Sequence, residues 1–362
     1  MTAAHDKPFT ILYFGVIDPN FSRNKVYGDG LRQNGVNVVN CVDTSTGLRK
    51  YWNLYKKHRD YKGKYDAMIV GFPGFIIVPF ARLIATAPVY FDALCSFYET
   101  QIISRDAYKG NIFRIPYVRI IDWLATRLAD KILVETEQQK KYFIGSLGVN
   151  PAKLIVVYTG VDDSIFHTAP DAEKSAAFTV LFRGRITREA GAAYVLRAAK
   201  ILENTGVKFL IIGFGWAEAM NEFKAVMNEL KPANVEYISK QLPFNELIPR
   251  MLSCHVSLGQ FENNERLKRT IPHKAFESMA MKLPYVTSRM AGVSEVFKDG
   301  ETCLMVNPAD PEDLAAKIET LKNSPVLAEK IAQNAFWLYQ QRFTPQKIVQ
   351  PILDAVCNPT PH

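Results

Sequence analysis

A basic and an acidic residue stand three positions apart in LKRTIPHKAFESMAMKLPYVTS, the stretch from Leu267 to Ser288. Lys274 and Glu277 share one face if this stretch is helical, because residues three apart are neighbours on a helix. Pro272 suits the first turn of such a helix. At a helix start, a lysine can meet a phosphate, and a glutamate can accept two ribose hydroxyls. A surface ion pair on an amphipathic helix is the alternative interpretation.

A second group of candidate residues follows a predicted strand in LFRGRITREAG. The strand ends at Arg183, and Gly184 lets the backbone approach a ligand. Arg185 and Arg188 then supply positive charge before a predicted helix. Strand–turn–helix units of this kind often bind phosphate in open α/β sheets. An ordinary turn with solvated arginines would have the same pattern.

A pair of glycines follows the strand in IIGFGWAEA. A dinucleotide-binding fingerprint needs three glycines, and Glu218 stands where the third would be. Gly213 and Gly215 therefore indicate either contact with a ligand or a tight turn between strand and helix.

A fourth candidate segment is AGVSEVFKDG, in which Val293 and Ser294 lead into a short predicted helix. Backbone N–H groups at such a turn can bind an anion. Glu295 can accept hydroxyls of a ligand, but a first-turn glutamate also stabilises a helix start by itself.

The elements that would position these residues alternate between strands and helices. FTILYFGV, VNVVNCV, YDAMIVG, APVYFDA, DKILVET and LIVVYTG are the predicted strands of the first half, and the pattern restarts at FTVLFRG. Such alternation predicts parallel sheets with crossover helices. We expect an α/β protein with two doubly wound, Rossmann-like domains that face each other across a cleft. Ligands should then bind beyond the carboxyl ends of the strands.

The predicted domain boundary lies in the polar, turn-rich stretch from Thr159 to Ala177. We expect one domain over residues 1–160 and a second over residues 161–342. A C-terminal helix within residues 343–362 is expected to pack back on the first domain.

Composition narrows the class of protein. The 362 residues are 48% hydrophobic and 22% charged, which is typical of folded domains rather than disordered chains. The net charge of +8 suits phosphorylated molecules or an acidic membrane surface. Nucleic acid is not an expected partner, because the basic residues are dispersed and no recognition motif is present.

Other sequence features bear on location and chemistry. Five scattered cysteines without a CxxC pair favour a reduced, cytoplasmic chain. The N-terminus lacks signal-peptide features, and no uninterrupted apolar run of about 20 residues predicts a transmembrane helix. The histidines show no metal-binding spacing, and no G-x-S-x-G motif indicates a hydrolase.

Taken together, the motifs of the second half resemble those of the retaining glycosyltransferases of family 4, which have the GT-B fold. FRGRITREAG is similar to the family's G-R-x-x-x-E-K-G segment, and IIGFG to its V-G-x-G turn. HKAFESMAMKLPYVTS resembles E-A-M-A-x-G-x-P-V-V-A-S, and GVSEVFKDGETCLMVNPAD resembles the segment that follows in the family. YTGVDDSIF resembles the N-G-V-D linker, with Thr159 in place of asparagine. The first half is similar only coarsely.

The resemblance implies transfer of a sugar from a nucleotide-diphosphate sugar, with UDP- or GDP-sugars favoured. It implies retention of the anomeric configuration and no required metal or other cofactor. The first domain would bind a glycan or lipid-linked acceptor, and the second would bind the donor. Cationic side chains and helix N-termini would neutralise the departing diphosphate.

Carried over to this sequence, the resemblance implies that Arg185 contacts the diphosphate, Glu277 the ribose, and the backbone at Val293 and Ser294 the phosphates. The candidate catalytic residues are Asp92, Arg185 and Lys274. The candidate donor-binding residues are Gly184, Arg188, Gly213, Gly215, Glu262, Lys268, Glu277, Val293, Ser294 and Glu295.

This sequence departs from the family pattern at the diphosphate lysine, which falls at Ala190. Lys274 is our first choice for a replacement cation, with Arg188 and Lys268 as alternatives. A subset of the family carries P-x-K-x-x-E, and this chain resembles that subset.

A second departure concerns the acid that contacts the transferred sugar. Arg269 stands where the family often has a glutamate, so the acid is missing or lies elsewhere, at Glu262 or Glu265. Asp92 follows the strand APVYF and could instead contact the transferred sugar. A strand-end cap is the alternative role for Asp92.

Two segments, YWNLYKKHRDYKGKY and NIFRIPYVRIIDWLATRLADK, combine aromatic, aliphatic and basic residues. The second has near-helical spacing of Ile112, Ile115, Val118, Ile121, Leu124 and Leu128. Such a helix could lie on an anionic membrane, or pack its apolar face on the sheet as an ordinary crossover helix. Lipid-linked acceptors would bring the chain to the inner face of the membrane.

Two other functions remain open from the sequence. One is a nucleotide-sugar epimerase or hydrolase, whose chemistry also uses GT-B folds. The other is a non-catalytic nucleotide-sugar-binding partner, which the departures at Ala190 and Arg269 favour.

Overall fold

The computed structural model describes residues 8–20, 22–104 and 113–357. The chain divides into two compact units. The N-terminal unit comprises Met1–Asp162 and Phe343–His362, and the C-terminal unit comprises Asp163–Arg342. Each unit has its own parallel sheet, so the predicted α/β class with two Rossmann-like domains is confirmed.

The sheet of the N-terminal unit has six parallel strands in its described residues, in the order β2-β1-β3-β4-β5-β6. The inner strands are centred on buried apolar residues such as Leu12 and Phe91, as expected for strands covered on both faces. The strands are β1 Thr10–Gly15, β2 Asn37–Val42, β3 Ala67–Val70, β4 Val89–Leu94, β5 Lys131–Val134 and β6 Leu154–Val156.

Helices connect these strands as crossovers. Leu54, Ala81 and Ala125, from three different helices, join the same apolar core over one face of the sheet. A π-helical turn covers Glu99–Ile103, and a short 3-10 turn covers Pro151–Lys153. The helices are α1 Ser22–Gln33, α2 Arg49–Arg59, α3 Val78–Ile84, α4 Arg114–Leu128 and α5 Glu137–Leu147.

The sheet of the C-terminal unit has the order β12-β11-β10-β7-β8-β9, and its strands are also parallel. The chain runs outward in one direction from β7 and then outward in the other direction from β10, as in a dinucleotide-binding fold. The strands are β7 Phe178–Arg183, β8 Val207–Ile212, β9 Val235–Ile238, β10 Val256–Leu258, β11 Tyr285–Ser288 and β12 Leu304–Val306.

Six α-helices and three 3-10 turns surround this sheet within the described residues. The 3-10 turns are Arg188–Ala190, Leu267–Arg269 and Val293–Glu295. The helices are α6 Ala192–Ile201, α7 Ala217–Leu230, α8 Phe244–Ser253, α9 His273–Ala280, α10 Pro311–Asn323 and α11 Pro325–Arg342. Pro272 lies just before α9, at its N-cap.

The C-terminal segment returns to the N-terminal unit as two short helices, α12 Pro345–Ile348 and α13 Gln350–Cys357. Helix α12 packs against α1, where a side chain at Gly30 would collide with the Pro345 carbonyl. The Asn34 side-chain amide donates to the Gln346 carbonyl at 2.8 Å. In the described part of the chain, no helix is long and apolar enough to cross a membrane.

Candidate functional site

Predicted donor-binding residues converge at the carboxyl edge of the C-terminal sheet, between β7 and β10. Strand β7 ends at Arg183 and strand β10 at Leu258, and these two strands are neighbours. The first turn of α9 lies at the same edge, because Lys274 Nζ donates to the Gly259 carbonyl at 2.9 Å. This is the point where the strand order reverses, and open α/β sheets bind their ligands there.

Lys274 is half-buried at this edge. Its Nζ lies 4.5 Å from the ring centroid of Phe182. Burial, and then the positive charge of Arg183, lower the pKa of Lys274 to about 7. An anion beside Lys274 would stabilise the protonated form of its side chain. The protonated side chain would in turn bind the anion more tightly than the neutral one.

Glu277 follows one turn later, and its carboxylate forms an ion pair with the Arg183 guanidinium. The two side chains are only 14% and 13% exposed. Arg183 also lies 5.2 Å from the ring centroid of Phe166. Arg183 and Lys274 thus lie at the same sheet edge as the Glu277 carboxylate, and once Lys274 is protonated the group has excess positive charge for an anionic ligand.

The side chain of Arg183 was not among the predicted site residues. A signal for it exists in the sequence, since a lone charged residue ends the otherwise uncharged strand FTVLFR. Its partner could not be identified, because the pairing joins residues 94 positions apart through the packing of α9 on the sheet.

Gly213 and Gly215 allow two strand ends to approach closely. A Cβ atom on Gly213 would overlap the Gly184 carbonyl, and one on Gly215 would overlap the Ile186 carbonyl. Ile186 and Gly215 also form a parallel β-bridge. The structure gives these glycines a packing role and leaves contact with a ligand as a prediction.

Arg185 directly follows this close approach. Its guanidinium carbon lies 5.2 Å from the Trp216 ring and 5.9 Å from the Phe214 ring. Both distances fit cation–π contacts. The aromatic rings hold the charge of Arg185 near the carboxyl edge of β7 and β8.

Arg188 and Glu262 line a small pocket, together with Tyr194 and Glu222. Arg188 opens the 3-10 turn before α6, and a Cβ atom on Gly191 would touch the backbone of Glu262. Ala190 in that turn has no charged group and is buried, so this position provides no cation.

Lys268 and the 293–295 turn are connected through the backbone. The Gly292 N–H donates to the Lys268 carbonyl at 2.8 Å, and the Lys268 ammonium pairs with Glu265 at 2.5 Å. The Ser294 N–H already donates to the Met290 carbonyl at 2.9 Å. That bond corrects the expectation of a phosphate contact from the Ser294 backbone. Contacts by Val293 and Glu295 stay predictions.

Asp92 lies in the N-terminal unit and has no exposed surface. Arg23 Nε donates to both of its carboxylate oxygens, at 2.9 and 3.0 Å. Thr159, 3.3 Å from the same guanidinium, donates to Glu135 at 2.6 Å. A side chain enclosed in this way cannot touch a sugar. The predicted sugar contact by Asp92 is therefore wrong for this conformation, and Asp92 instead anchors α1 to β4.

An open pocket of about 190 Å³ lies beyond β3 and β4 in the N-terminal unit. Phe72, Phe75 and Phe97 provide most of its wall, and Thr100 and Gln101 provide its polar groups. The Phe75 and Phe97 rings stack with centroids 5.0 Å apart. No motif in the sequence indicated this aromatic pocket.

Comparison with known proteins finds relatives for most of the C-terminal unit. Residues 177–324 match the family model described as "Glycosyl transferases group 1". The alpha-D-kanosaminyltransferase of Streptomyces kanamyceticus is 30% identical over 158 residues, covering 43% of this chain and 39% of that protein. The D-inositol 3-phosphate glycosyltransferase of Thermomonospora curvata is 22% identical over 244 residues, covering 61% of this chain and 55% of that protein. This chain thus spans about two fifths to a little over half the length of these two relatives.

Solved structures show the same fold across nearly the whole chain. Anabaena HepE in complex with UDP-glucose has a TM-score of 0.73 at 16% identity, over 96% of this chain and 99% of that one. The sucrose-phosphate synthase from Thermosynechococcus elongatus has a TM-score of 0.74 at 15% identity, over 96% of this chain and 98% of that one. The predicted GT-B fold is confirmed, while family 4 and retention stay predictions. Residues 177–324 are thus similar to group 1 glycosyltransferase domains, and the chain as a whole has the GT-B fold.

Proposed function

We propose that this protein is a glycosyltransferase of family 4 that moves a sugar from a nucleotide-diphosphate sugar to a glycan or lipid-linked acceptor. The single observation that carries the proposal is the group of Arg183, Lys274 and Glu277 between β7 and β10. That group offers a carboxylate for hydroxyls and excess positive charge for an anion, at the edge where such sheets bind ligands.

The donor would bind with its ribose on Glu277 and its diphosphate near Lys274 and Arg185. Lys274 then replaces the cation that is absent at Ala190. The half-buried lysine gains more from an anion than a solvated one would, because charge interactions strengthen away from water. The same cations would stabilise negative charge on the departing diphosphate. We propose retention of the anomeric configuration and no required metal ion, on the resemblance to family 4.

A protein of the same fold suggests which donors to test. HepE, which shares the fold, was solved with UDP-glucose. We propose to test UDP-sugars first, and then GDP-sugars, which the resemblance to family 4 also implies. The transferred sugar would lie between the diphosphate and the acceptor, within reach of Glu262 or Glu265.

The aromatic pocket of the N-terminal unit supports an acceptor with an apolar part. Three phenylalanines supply much of its wall, and only two polar side chains line it. Apolar walls with few polar groups are typical of small-molecule sites that bind hydrophobic groups. A lipid-linked acceptor would bring the protein to the cytoplasmic face of an anionic membrane.

A second candidate function is binding of a nucleotide sugar without transfer. The buried Ala190 and the arginine at 269 favour it, since two groups used by the family for diphosphate and sugar are absent. Turnover, rather than binding, distinguishes the two functions.

A thermal-shift screen with UDP, GDP, ADP, CMP, dTDP and their common sugars, in EDTA, tests the proposal. A ligand at 100 times its dissociation constant stabilises the native state by about 2.7 kcal/mol, so the melting temperature should rise by about 5 °C or more. Glu277→Gln should weaken the shift. No shift with any nucleotide contradicts the proposal, and a shift without sugar transfer to any acceptor fraction favours the binding partner.

A further inference from the structure

Helix α4 has apolar residues on two faces. The predicted stripe is the inner one: Val118 is fully buried, and Ile121 and Leu128 pack against the core of the N-terminal unit. The crossover interpretation therefore holds for that stripe, while Ile112 lies outside the described residues. The opposite face carries Tyr117, Ile120 and Trp123, which are 51%, 55% and 53% exposed. Amphipathic crossover helices normally present polar residues there.

Two neighbouring helices extend this exposed surface. Trp52 and Tyr55 of α2 are 58% and 41% exposed, and their rings stack with centroids 6.0 Å apart. Leu83 of α3 is 85% exposed. The three helices are neighbours, since the Tyr51 ring of α2 lies 5.2 Å from the Phe80 ring of α3, and α3 packs against α4. We call Trp52, Tyr55, Leu83, Tyr117, Ile120 and Trp123 the aromatic face.

The two longer helices that carry the aromatic face, α2 and α4, are rich in basic residues. Helix α2 contains five lysines and arginines and no acidic residue. Helix α4 contains three arginines, and its one acid, Asp122, is 2% exposed and accepts from the backbone N–H groups of Phe97 and Tyr98. The Lys56 ammonium lies 5.1 Å from the Trp52 ring. Basic residues thus accompany the exposed aromatic residues of both helices.

We propose that the aromatic face binds the surface of an anionic phospholipid bilayer. Tryptophan and tyrosine side chains prefer the level of the lipid headgroups, because one part of each ring system is apolar and the other is polar. Lysines and arginines beside them are attracted to anionic headgroups, and each contributes favourably near the surface. Insertion of aliphatic side chains such as Ile120 and Leu83 adds apolar burial.

A second copy of this chain is a less suitable occupant. A two-fold dimer would bring the same surface patch of both copies together. The basic helices α2 and α4 would then face each other without exposed carboxylates of their own to pair with. Like charges across an interface disfavour association, whereas an anionic bilayer complements them.

This inference deepens the proposed function by naming a partner of the N-terminal unit. It rests on the proposed function only in that a lipid-linked acceptor explains why the protein would be at a membrane. Binding to lipid needs no nucleotide. The two proposals can therefore fail separately. Vesicle binding can be absent while a nucleotide still raises the melting temperature, and vesicle binding can be present while no nucleotide does so.

Flotation of the full chain with vesicles tests the inference. Vesicles of phosphatidylcholine with one third phosphatidylglycerol are compared with vesicles of phosphatidylcholine alone, at low and high salt. The protein should float with the anionic vesicles at low salt and be released by salt, because screening weakens attraction to the surface. Absence of flotation with anionic vesicles at low salt overturns the proposal.

The double variant Ile120→Glu/Trp123→Glu assigns the surface. Both positions are more than half exposed, so folding should be preserved, and an unchanged melting temperature verifies this. Partitioning to anionic vesicles should fall by about tenfold or more, since two inserted side chains are lost and two negative charges are added. The matched control is Trp337→Glu, at a tryptophan of the C-terminal unit that is 59% exposed.

The control should float like the unsubstituted chain. Equal loss in Trp337→Glu and in the double variant overturns the assignment to the aromatic face. Light scattering across a range of protein concentrations tests whether a second copy of the chain covers the aromatic face instead. If the chain forms a dimer that the double variant abolishes, and does not bind vesicles, the occupant is a second copy and the bilayer proposal is overturned.

Discussion

The Glu277 carboxylate of α9 forms an ion pair with the Arg183 guanidinium at the end of β7, one helical turn from Lys274. The carboxylate that we assign to the ribose thus already has a cationic partner. Ribose hydroxyls would have to share Glu277 with Arg183 or displace it. Arg183 therefore holds the Glu277 side chain at the sheet edge and prevents an unpaired charge there.

Removing either partner should destabilise the C-terminal unit. Arg183→Met and Glu277→Met should each cost about 2–3 kcal/mol, because each leaves a largely buried charge without its partner. The double variant should cost clearly less than the sum, since it leaves neither charge. Urea unfolding, followed by tryptophan fluorescence, measures these free-energy losses. The chain used has Trp52 and Trp123 replaced, so that the remaining tryptophans report unfolding of the C-terminal unit. Additive losses would mean that the two side chains do not interact.

Glu277→Gln should weaken binding of the nucleotide found in the thermal-shift screen by about 10- to 100-fold. Hydrogen bonds to a charged group contribute about 1.5–3 kcal/mol, and the amide keeps only one acceptor oxygen. Titration calorimetry measures the affinity. Glu319→Gln, at an exposed position of α10, is the matched control and should bind normally. Unchanged affinity in Glu277→Gln would remove Glu277 from the ribose site.

Lys274 should make stability depend on pH. Its folded-state pKa of about 7 lies below the ordinary 10.5, so above pH 7 the unfolded chain binds more protons than the folded one. The free energy of unfolding should therefore rise with pH, by roughly 1–2 kcal/mol from about pH 7 to about pH 9, relative to Lys274→Met. Urea unfolding at the two pH values tests this. Parallel profiles for the two proteins would contradict the lowered pKa.

Asp92→Asn should destabilise the N-terminal unit by about 2–4 kcal/mol, because it leaves Arg23 buried beside a neutral group. Nucleotide affinity should stay the same, since Asp92 belongs to the other unit from the donor residues. Unfolding of a chain that keeps only Trp52 and Trp123 measures the loss. Asp29→Asn, in a solvent-accessible ion pair of the same unit, should cost less than about 1 kcal/mol. A loss of turnover without a loss of stability would restore Asp92 as a sugar contact.

The fold could be predicted from the sequence because buried parallel strands and amphipathic helices leave regular patterns. The shared face of Lys274 and Glu277 could also be predicted, since it depends only on helix periodicity. The partners Arg183 and Arg23 could not, because an ion pair between distant segments depends on how helices pack on the sheet. The two faces of α4 illustrate the same limit: its spacing predicted an apolar stripe, but not that a second one would be left exposed.

The return of the C-terminal segment to α1 has a consequence for biosynthesis. Residues 343–357 emerge from the ribosome only after all of the C-terminal unit has been translated. Until then, the surface around Val26 and Gly160 that Ile348 covers is open to water. The nascent N-terminal unit therefore exposes apolar surface while the rest of the chain is made, which is the kind of surface that chaperones bind. The unit that is translated first is thus completed last.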